Sequence, residues 1–223
     1  MTDIRDNDVR FSLRILNVAD SARYLGISAT TLGRWTKPGD RGDSLIHVRE
    51  APLRKASVPF IGLTEAFVLN ALRAAGVRLH KIRPALTELQ RRFGTEYALV
   101  SPNLATDGVS VLWDFARTHE GSDLIDSSGQ HVFREIVSDY LQYVTWGEDQ
   151  LPTQLQLRWE PSKIVVNPRI AFGQPRFGDS GPRVADVAAM LKSGETAEVV
   201  GDEFGISTED VRTAARILLG RAA

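Results

Sequence analysis

The chain of 223 residues contains no cysteine, and this absence excludes disulfide bonds, thiolate metal sites and cysteine nucleophiles. No apolar run approaches the roughly 18 residues that a membrane-spanning helix needs. The start, Met1 to Asp8, is polar and lacks the apolar stretch of a signal peptide. These absences predict a cytoplasmic protein that has no membrane partner.

The charge of the chain is divided unevenly along its length, although the net value is only −1. Residues 1–93 contain 16 Lys and Arg against 9 Asp and Glu, whereas residues 94–223 contain 11 against 19. Such an asymmetry predicts a half that binds a polyanion and an acidic half with another partner. The alternative is two domains that have drifted to different isoelectric points.

Two stretches, 22–32 and 201–211, share a helix-turn-helix pattern. Each has a small residue where two helices cross, a glycine suited to the left-handed end of a helix, and a serine that can begin the next helix. The corresponding residues are Ala22 and Gly201, Gly26 and Gly205, and Ser28 and Ser207. The chain is therefore expected to contain two helix pairs of this kind.

The charge of the second helix differs between the two pairs. In the second pair it opens with Glu209 and Asp210, which suit a helix start but would repel a DNA backbone. The first pair is therefore predicted to bind DNA. Its candidate DNA-binding residues are Ser28, Thr30, Thr31, Arg34 and Lys37, together with Arg41 in the turn-rich segment that follows.

Hydrophobic periodicity and turn residues predict the remaining elements. A wing strand is expected at 45–48, and a supporting helix pair at 63–75 and 79–93. Further strands are expected at 97–100, 110–115, 124–125, 155–159 and 163–166. Helices are expected at 133–141, 184–191, 197–204 and 208–219. Residues 168–182 hold three prolines and three glycines, which predicts an ordered, extended arm or loop.

These elements predict a mixed α and β fold in which helices dominate. The expected domains are an N-terminal winged helix-turn-helix over 1–94, a small α+β middle over 95–160, and a C-terminal three-helix domain over 161–223. Since a helix-turn-helix that reads a palindrome needs two copies, we also expect a homodimer.

The N-terminal part resembles the winged helix of the MerR-type regulators. The resemblance rests on Val18–Ala19, Leu25–Ser28, Thr31–Leu32 and Trp35, and continues through 72–83. It implies that the helix after Ser28 enters the major groove and that the wing contacts the DNA backbone. The family pattern usually has arginine directly after Thr-Leu, where this chain has Gly33 followed by Arg34.

The C-terminal part resembles the domain-of-unknown-function family numbered 433, which occurs in antitoxins encoded beside PIN-like ribonuclease toxins. The matching segments are 164–168, 172–175, 183–184 and 191–217. The combination of both parts resembles a VapB-type antitoxin. This resemblance implies an autorepressor that binds operator DNA and neutralises a cognate PIN-like toxin.

With its flanking residues, the arm spans 167–183 and carries three candidate partner-binding arginines, Arg169, Arg176 and Arg183. Arginine pairs bidentately with carboxylates and stays charged when it is desolvated, which would suit the acidic site of a nuclease. The apolar residues of the arm would equally suit a strap around a dimer partner. The sequence leaves both interpretations open.

Enzyme chemistry is not expected. Asp107, Asp114, Asp123 and Asp126 could form a metal site only if they converged, and aspartate is common in turns. The four histidines lack metal-ligand spacing, and the arm glycines lack the context of a phosphate loop. We therefore predict no catalytic residue, metal or cofactor. The alternative function is a MerR-like regulator that senses a small ligand through its acidic half.

Overall fold

The computed structural model describes residues 7–38, 44–52, 55–78, 82–104, 108–117 and 130–220. Helices predominate in this part of the chain, and two small sheets accompany them. The expected mixed fold dominated by helices is therefore confirmed. Among the described helices, none is long and apolar enough to cross a membrane.

The first half of the chain contains mainly helices and one pair of short antiparallel strands, in which Leu16 lies opposite Val58. In chain order, the elements are α1 Val9–Ser12, β1 Arg14–Leu16, α2 Val18–Tyr24, α3 Ala29–Trp35, β2 Val58–Pro59, α4 Phe60–Ala74 and α5 Ile82–Phe93.

The second half begins with a 3-10 turn at Ala98–Val100 and then continues with helices and a four-stranded sheet. Its elements are α6 Val109–Ala116, α7 Gln130–Leu141, β3 Val144–Trp146, β4 Pro152–Trp159, β5 Ser162–Val166, β6 Arg176–Phe177, α8 Val184–Lys192, α9 Ala197–Phe204 and α10 Thr208–Leu219. The sheet has the order β3-β4-β5-β6. Strands β4 and β5 form a hairpin in which Trp159 lies opposite Ser162.

The described residues fall into two compact units, and neither is continuous in sequence. The first combines the residues up to Arg34 with Val48–Phe60 and the residues from Gln154 onward. The second combines Trp35–His47 with Ile61–Thr153. The three consecutive domains expected from the sequence remain a prediction, and their boundary at 160/161 falls in the β4–β5 turn.

The first unit is organised around α10, which packs against α8, α9, α2 and β5. Val211, Ala214 and Ile217 supply its apolar face. The hydroxyl of Ser162 on β5 donates a hydrogen bond to that of Thr213 at 3.0 Å, and both side chains are buried. The C-terminal helices are thus part of the same core as the first helix-turn-helix.

Two side-chain hydrogen bonds connect the N-terminal segment of this unit to its C-terminal segment. The indole Nε1 of Trp159 donates to the carbonyl of Tyr24, at the end of α2, at 2.7 Å. The amide Nε2 of Gln174 donates to the carbonyl of Ile15 on β1 at 2.6 Å. Since β1 directly precedes α2, both bonds hold the first helix of the helix-turn-helix in place.

The second unit is organised around α4, on which Leu63, Val68 and Leu72 are fully buried. The Phe67 ring lies 5.2 Å from that of Tyr140, between ring centroids. Helix α4 also carries a buried carboxylate, Glu65. The structure confirms helices at both positions of the predicted supporting pair, as α4 and α5.

Two predicted strands are wrong. Residues 110–115 lie in α6, where the neighbours Val111 and Leu112 are both buried. Successive strand residues would point to opposite faces, so two adjacent buried residues fit a helical stripe. The segment 97–100 forms a 3-10 turn closed by a hydrogen bond from the Val100 amide to the Tyr97 carbonyl. The predicted strand at 124–125 lies outside the described residues.

Candidate nucleic-acid interface

The corner between α2 and α3 has the geometry that its sequence predicts. Gly26 adopts a φ of 65°, and the Ile27 amide donates to the Ala22 carbonyl at 3.0 Å. This arrangement ends α2 with a left-handed residue that glycine adopts at low cost. Ser28 then begins α3, because its hydroxyl accepts a hydrogen bond from the Thr31 amide at 3.1 Å.

Helix α3 separates its buried residues from its exposed ones. Leu32 and Trp35 are buried, whereas Thr30 and Arg34 are exposed. Within the described residues, the Arg34 guanidinium makes no hydrogen bond or ion pair. At the neighbouring position, a Cβ added to Gly33 would meet no atom within 4 Å.

Two other DNA-binding candidates on this helix pair are involved in the helix start. The Ser28 hydroxyl lies 2.8 Å from the Thr31 hydroxyl, and Thr31 is half-buried. Ser28 itself is exposed. Since a hydroxyl both donates and accepts, this pair retains hydrogen-bonding capacity toward solvent.

A cleft of about 660 Å³ lies beside α2 and the first residue of α3, Ala29. Its walls include Arg23 on α2 and Lys55 in the segment before β2. The Arg23 guanidinium is paired with Asp20 at 2.8 Å. Lys55 thus adds a positive charge beside the start of α3, and the sequence analysis did not include it among the DNA-binding candidates. The basic pair Arg54-Lys55 in the sequence was the available signal.

The second helix pair uses its acidic residues within its own structure. Asp210 donates its amide to the Ser207 hydroxyl at 3.1 Å, and its carboxylate accepts from that hydroxyl at 2.7 Å. Glu209 accepts a hydrogen bond from Arg216 at 2.9 Å. Ser207 thus caps α10, as expected for a serine that begins a helix, and the Asp210 carboxylate is bound within the same turn. Nothing in this geometry favours α10 as a DNA-recognition helix, since α10 packs against α8, α9, α2 and β5.

The remaining candidates belong to the segment after α3. Lys37 is exposed in the second unit, and its carbonyl accepts a hydrogen bond from Arg83 at 3.3 Å. Arg41 lies outside the described residues. The sequence therefore remains the only basis for its assignment to a wing.

The predicted wing strand at 45–48 is wrong. The amides of Leu45 and Ile46 both donate to the Trp35 carbonyl, at 2.8 and 3.3 Å, and the His47 amide donates to the Glu65 carboxylate at 2.6 Å. These three donors are satisfied by the end of α3 and by α4. They are consequently not available for a strand ladder.

The three arginines of the arm have different surroundings. Arg176 donates two hydrogen bonds to the Gly181 carbonyl, at 2.7 and 3.1 Å, within its own turn. Arg183 is paired with Asp186 at 2.7 Å. Arg169 is exposed, and its guanidinium has no hydrogen bond or ion pair with the described residues.

The arm is folded more tightly than expected. It contains a 3-10 turn at Ala171–Gly173, and its residues Arg176–Phe177 form β6, which pairs with β5. Gly173 is buried against Ile15. The segment is therefore an ordered loop and not an extended arm, since pairing with β5 and the contact of Gly173 with β1 fold it back.

Of the four carboxylates considered as a metal site, the described residues include one. Asp114 lies in α6, and Asp107, Asp123 and Asp126 lie outside the described ranges. Within those ranges, no group of three or more histidine or acidic residues could hold a metal ion.

Two family descriptions match separate parts of the chain. Residues 15–86 match the family HTH_66, described as "Putative DNA-binding HTH domain". Residues 164–216 match DUF433, described as a protein of unknown function. The first match contains α2 and α3, and the second runs from β5 into α10.

Full-length similarity extends to a protein of Mycobacterium tuberculosis (strain ATCC 25618 / H37Rv) named "Putative antitoxin VapB45". The two chains are 37% identical over 234 aligned positions, which span 96% of this chain and 98% of the relative. The crystal structure of RV2018 from Mycobacterium tuberculosis superposes with a TM-score of 0.76 at 36% identity. That match covers 92% of this chain and 99% of the other.

Proposed function

The chain belongs to the family of the VapB45 antitoxin, and from this premise we propose that it is the antitoxin of a type II toxin–antitoxin pair. In this proposal it binds operator DNA through α3, represses its own operon, and neutralises a PIN-like ribonuclease toxin by binding it. The protein then acts by binding alone and needs no catalytic residue or cofactor.

The observation that carries DNA binding is the exposed face of α3. Arg34 and Thr30 are exposed on a helix whose opposite side is buried, and the Arg34 guanidinium is not engaged by the described residues. An arginine in the major groove can donate two hydrogen bonds to guanine. We therefore assign base reading to Arg34.

We propose that the other basic residues near α3 contact the DNA backbone. Lys55, beside the start of α3, would pair with a phosphate, and we keep Lys37 and Arg41 as further phosphate contacts. Phosphate contacts position a protein on DNA without reading the sequence. We also propose a homodimer, because a palindromic operator presents two equivalent half-sites.

We expect Arg34→Ala to weaken binding to operator DNA by about 1 to 3 kcal/mol, because it removes a bidentate base contact. Binding to DNA of unrelated sequence should change much less. Fluorescence anisotropy with labelled promoter DNA and a scrambled duplex measures both affinities. The matched control is Arg212→Ala, which removes an exposed arginine from the second helix pair. Equal operator affinities of wild type and Arg34→Ala, with an unchanged circular dichroism spectrum, would contradict the assignment.

Toxin neutralisation is tested with the reading frame adjacent to this gene. Induction of its product alone is expected to arrest bacterial growth, and co-expression of the full chain should restore it through formation of a complex. Growth curves and co-purification of the two proteins measure the two effects. A toxic product that the chain neither binds nor neutralises would refute the antitoxin proposal.

A further inference from the structure

Three successive residues in the arm adopt left-handed backbone conformations. Ala171, Phe172 and Gly173 have φ values of 48°, 55° and 72°. Glycine tolerates this region, whereas a residue with a side chain is strained there. Such strain persists only where the surrounding structure imposes the conformation, and strained residues cluster at functional sites.

A set of hydrogen bonds fixes the turn to the first unit. The Gly173 amide donates to the Ile170 carbonyl at 2.9 Å, and the Gln174 amide donates to the Ala171 carbonyl at 3.0 Å. The side chain of Gln174 then donates to the Ile15 carbonyl on β1. Two backbone hydrogen bonds thus close the turn, and one side-chain hydrogen bond attaches it to β1.

The turn displays an aromatic ring to solvent. Phe172 is 79% exposed, more than any other large apolar side chain in the described residues, and Ile170 is 38% exposed. Burial of an aromatic ring in a partner releases a large apolar area. Because the backbone is already fixed, little further ordering is needed on binding.

An available positive charge lies next to this ring. Arg169 is exposed, and its guanidinium has no hydrogen bond or ion pair with the described residues. Asp8 lies near it. Burial raises the pKa of Asp8, but bonds from Arg10 and the charges of Arg10 and Arg169 lower it more. The Asp8 carboxylate is already bound by Arg10, with Nη2 at 2.6 Å, so the hydrogen bonds of Arg169 remain available.

We propose that the turn formed by Arg169, Ile170 and Phe172 is a preformed docking element for an acidic protein surface. The ring and Ile170 would fill an apolar depression of the partner, and the Arg169 guanidinium would pair with its carboxylate. This inference rests on the proposed function, in which the acidic partner is the toxin. The inference selects Arg169 from the three candidate partner-binding arginines, since Arg176 and Arg183 are bound to other groups of this chain.

The composition of the element favours a protein over a nucleic acid. Aromatic residues and arginine are enriched at the centres of protein interfaces, where a few of them carry most of the binding energy. Protein–DNA interfaces are more polar and far more positively charged. The element contains two apolar side chains and one cation, which matches the first kind of surface.

The test measures binding of the full-length chain to the purified product of the adjacent reading frame. Phe172→Ala and Arg169→Glu are each expected to weaken this binding tenfold or more, whereas operator binding and sedimentation behaviour remain those of wild type. The matched controls are Val199→Ala, an exposed apolar residue on α9, and Arg212→Glu on α10. Both controls should leave the affinity within about twofold of wild type.

A further variant separates docking from folding. Phe172→Gly should weaken partner binding as strongly as Phe172→Ala, yet its melting temperature should be no lower than that of wild type, because glycine suits a φ of 55°. If either Phe172 variant is less stable than wild type, Arg169→Glu decides the outcome, since it changes only an exposed side chain.

Several outcomes would overturn the inference. Wild-type affinity for the adjacent product in both Phe172→Ala and Arg169→Glu would refute the docking element and leave the proposed function intact. Failure of the wild-type chain to bind that product would refute both. Loss of self-association with partner binding retained would show that a second copy occupies the turn. Loss of operator binding with partner binding retained would show that DNA does.

Discussion

Replacement of Gly173 by alanine is expected to lower the free energy of unfolding by about 2 to 5 kcal/mol, from backbone strain and overpacking together. Gly173 has a φ of 72°, and a Cβ built on it lies 2.4 Å from Cγ2 of Ile15. Ile15 is almost fully buried, so its side chain has little room to move away. Urea unfolding, followed by tryptophan fluorescence, measures the change.

Gly178→Ala is the matched control for this substitution. Gly178 also has a left-handed φ, of 57°, but a Cβ at this position would meet no atom within 4 Å. The control therefore carries the backbone strain without the collision, and should cost about 1 to 2 kcal/mol. Equal losses for the two variants would show that the contact with Ile15 contributes nothing.

The collision matters for the DNA-binding helices because of where Ile15 lies. Ile15 belongs to β1, and α2 begins three residues after Ile15. Gln174, the neighbour of Gly173, also holds the Ile15 carbonyl. Within the first unit, the arm therefore contacts the strand that leads into the helix-turn-helix, although 158 positions in the sequence separate Ile15 from Gly173.

The helix pairs could be predicted from the sequence because their signals are local. The Ile27 amide bonds to Ala22, and the Ile206 amide bonds to Gly201 at the same 3.0 Å. A Cβ on Gly201 would lie 3.0 Å from the Ile206 carbonyl oxygen, which explains the small residue. Every group in these turns lies within a few residues of its partner, so a short pattern contains the information.

The failed predictions depended on distant partners instead. Residues 45–48 carry a strand-like sequence, yet their amides are taken by Trp35 and by Glu65, which lies 18 positions after His47. The short apolar run in α6 is compatible with either a strand or a helix until its packing is known. Local propensity decides an element only where tertiary contacts do not override it.

The sequence predicted which residues of α3 are exposed, but it did not predict the conformation of the arm. The exposed positions of α3 followed from helical spacing, which placed Thr30 and Arg34 on one side. The arm contained the right breakers, but its composition gave no sign that Arg176 would bind the Gly181 carbonyl. Nor does a pattern predict that Phe172 adopts a left-handed conformation, since only the attachment to β1 imposes it.

The second large effect is expected at Glu65, whose side chain is only 3% exposed. Its carboxylate accepts the His47 amide at 2.6 Å and lies 2.7 Å from the His47 ring Nδ1. Glu65→Ala leaves a cavity and removes the acceptor of both groups. We expect it to lower the free energy of unfolding by about 2 to 4 kcal/mol, measured by urea unfolding.

The same pair should make stability depend on pH. Burial lowers the pKa of His47, but the hydrogen bond to Glu65 and the charges of Glu65 and Glu96 raise it more, so the pKa lies above the ordinary 6.5. A histidine whose pKa is raised by folding stabilises the protein fully below its unfolded pKa. That contribution is lost as the pH rises through the folded pKa.

Glu65→Gln isolates this contribution, because glutamine keeps the length and an acceptor oxygen but removes the charge. The difference in unfolding free energy between wild type and Glu65→Gln should be largest near pH 6 and should shrink as the pH rises above about 6.5. Urea unfolding at several pH values measures it. Glu198→Gln, which neutralises an exposed carboxylate on α9, should leave the slope of wild type unchanged. Parallel pH curves for wild type and Glu65→Gln would mean that the Glu65 charge does not raise the pKa of His47, and that the pair stabilises α4 through its hydrogen bonds alone.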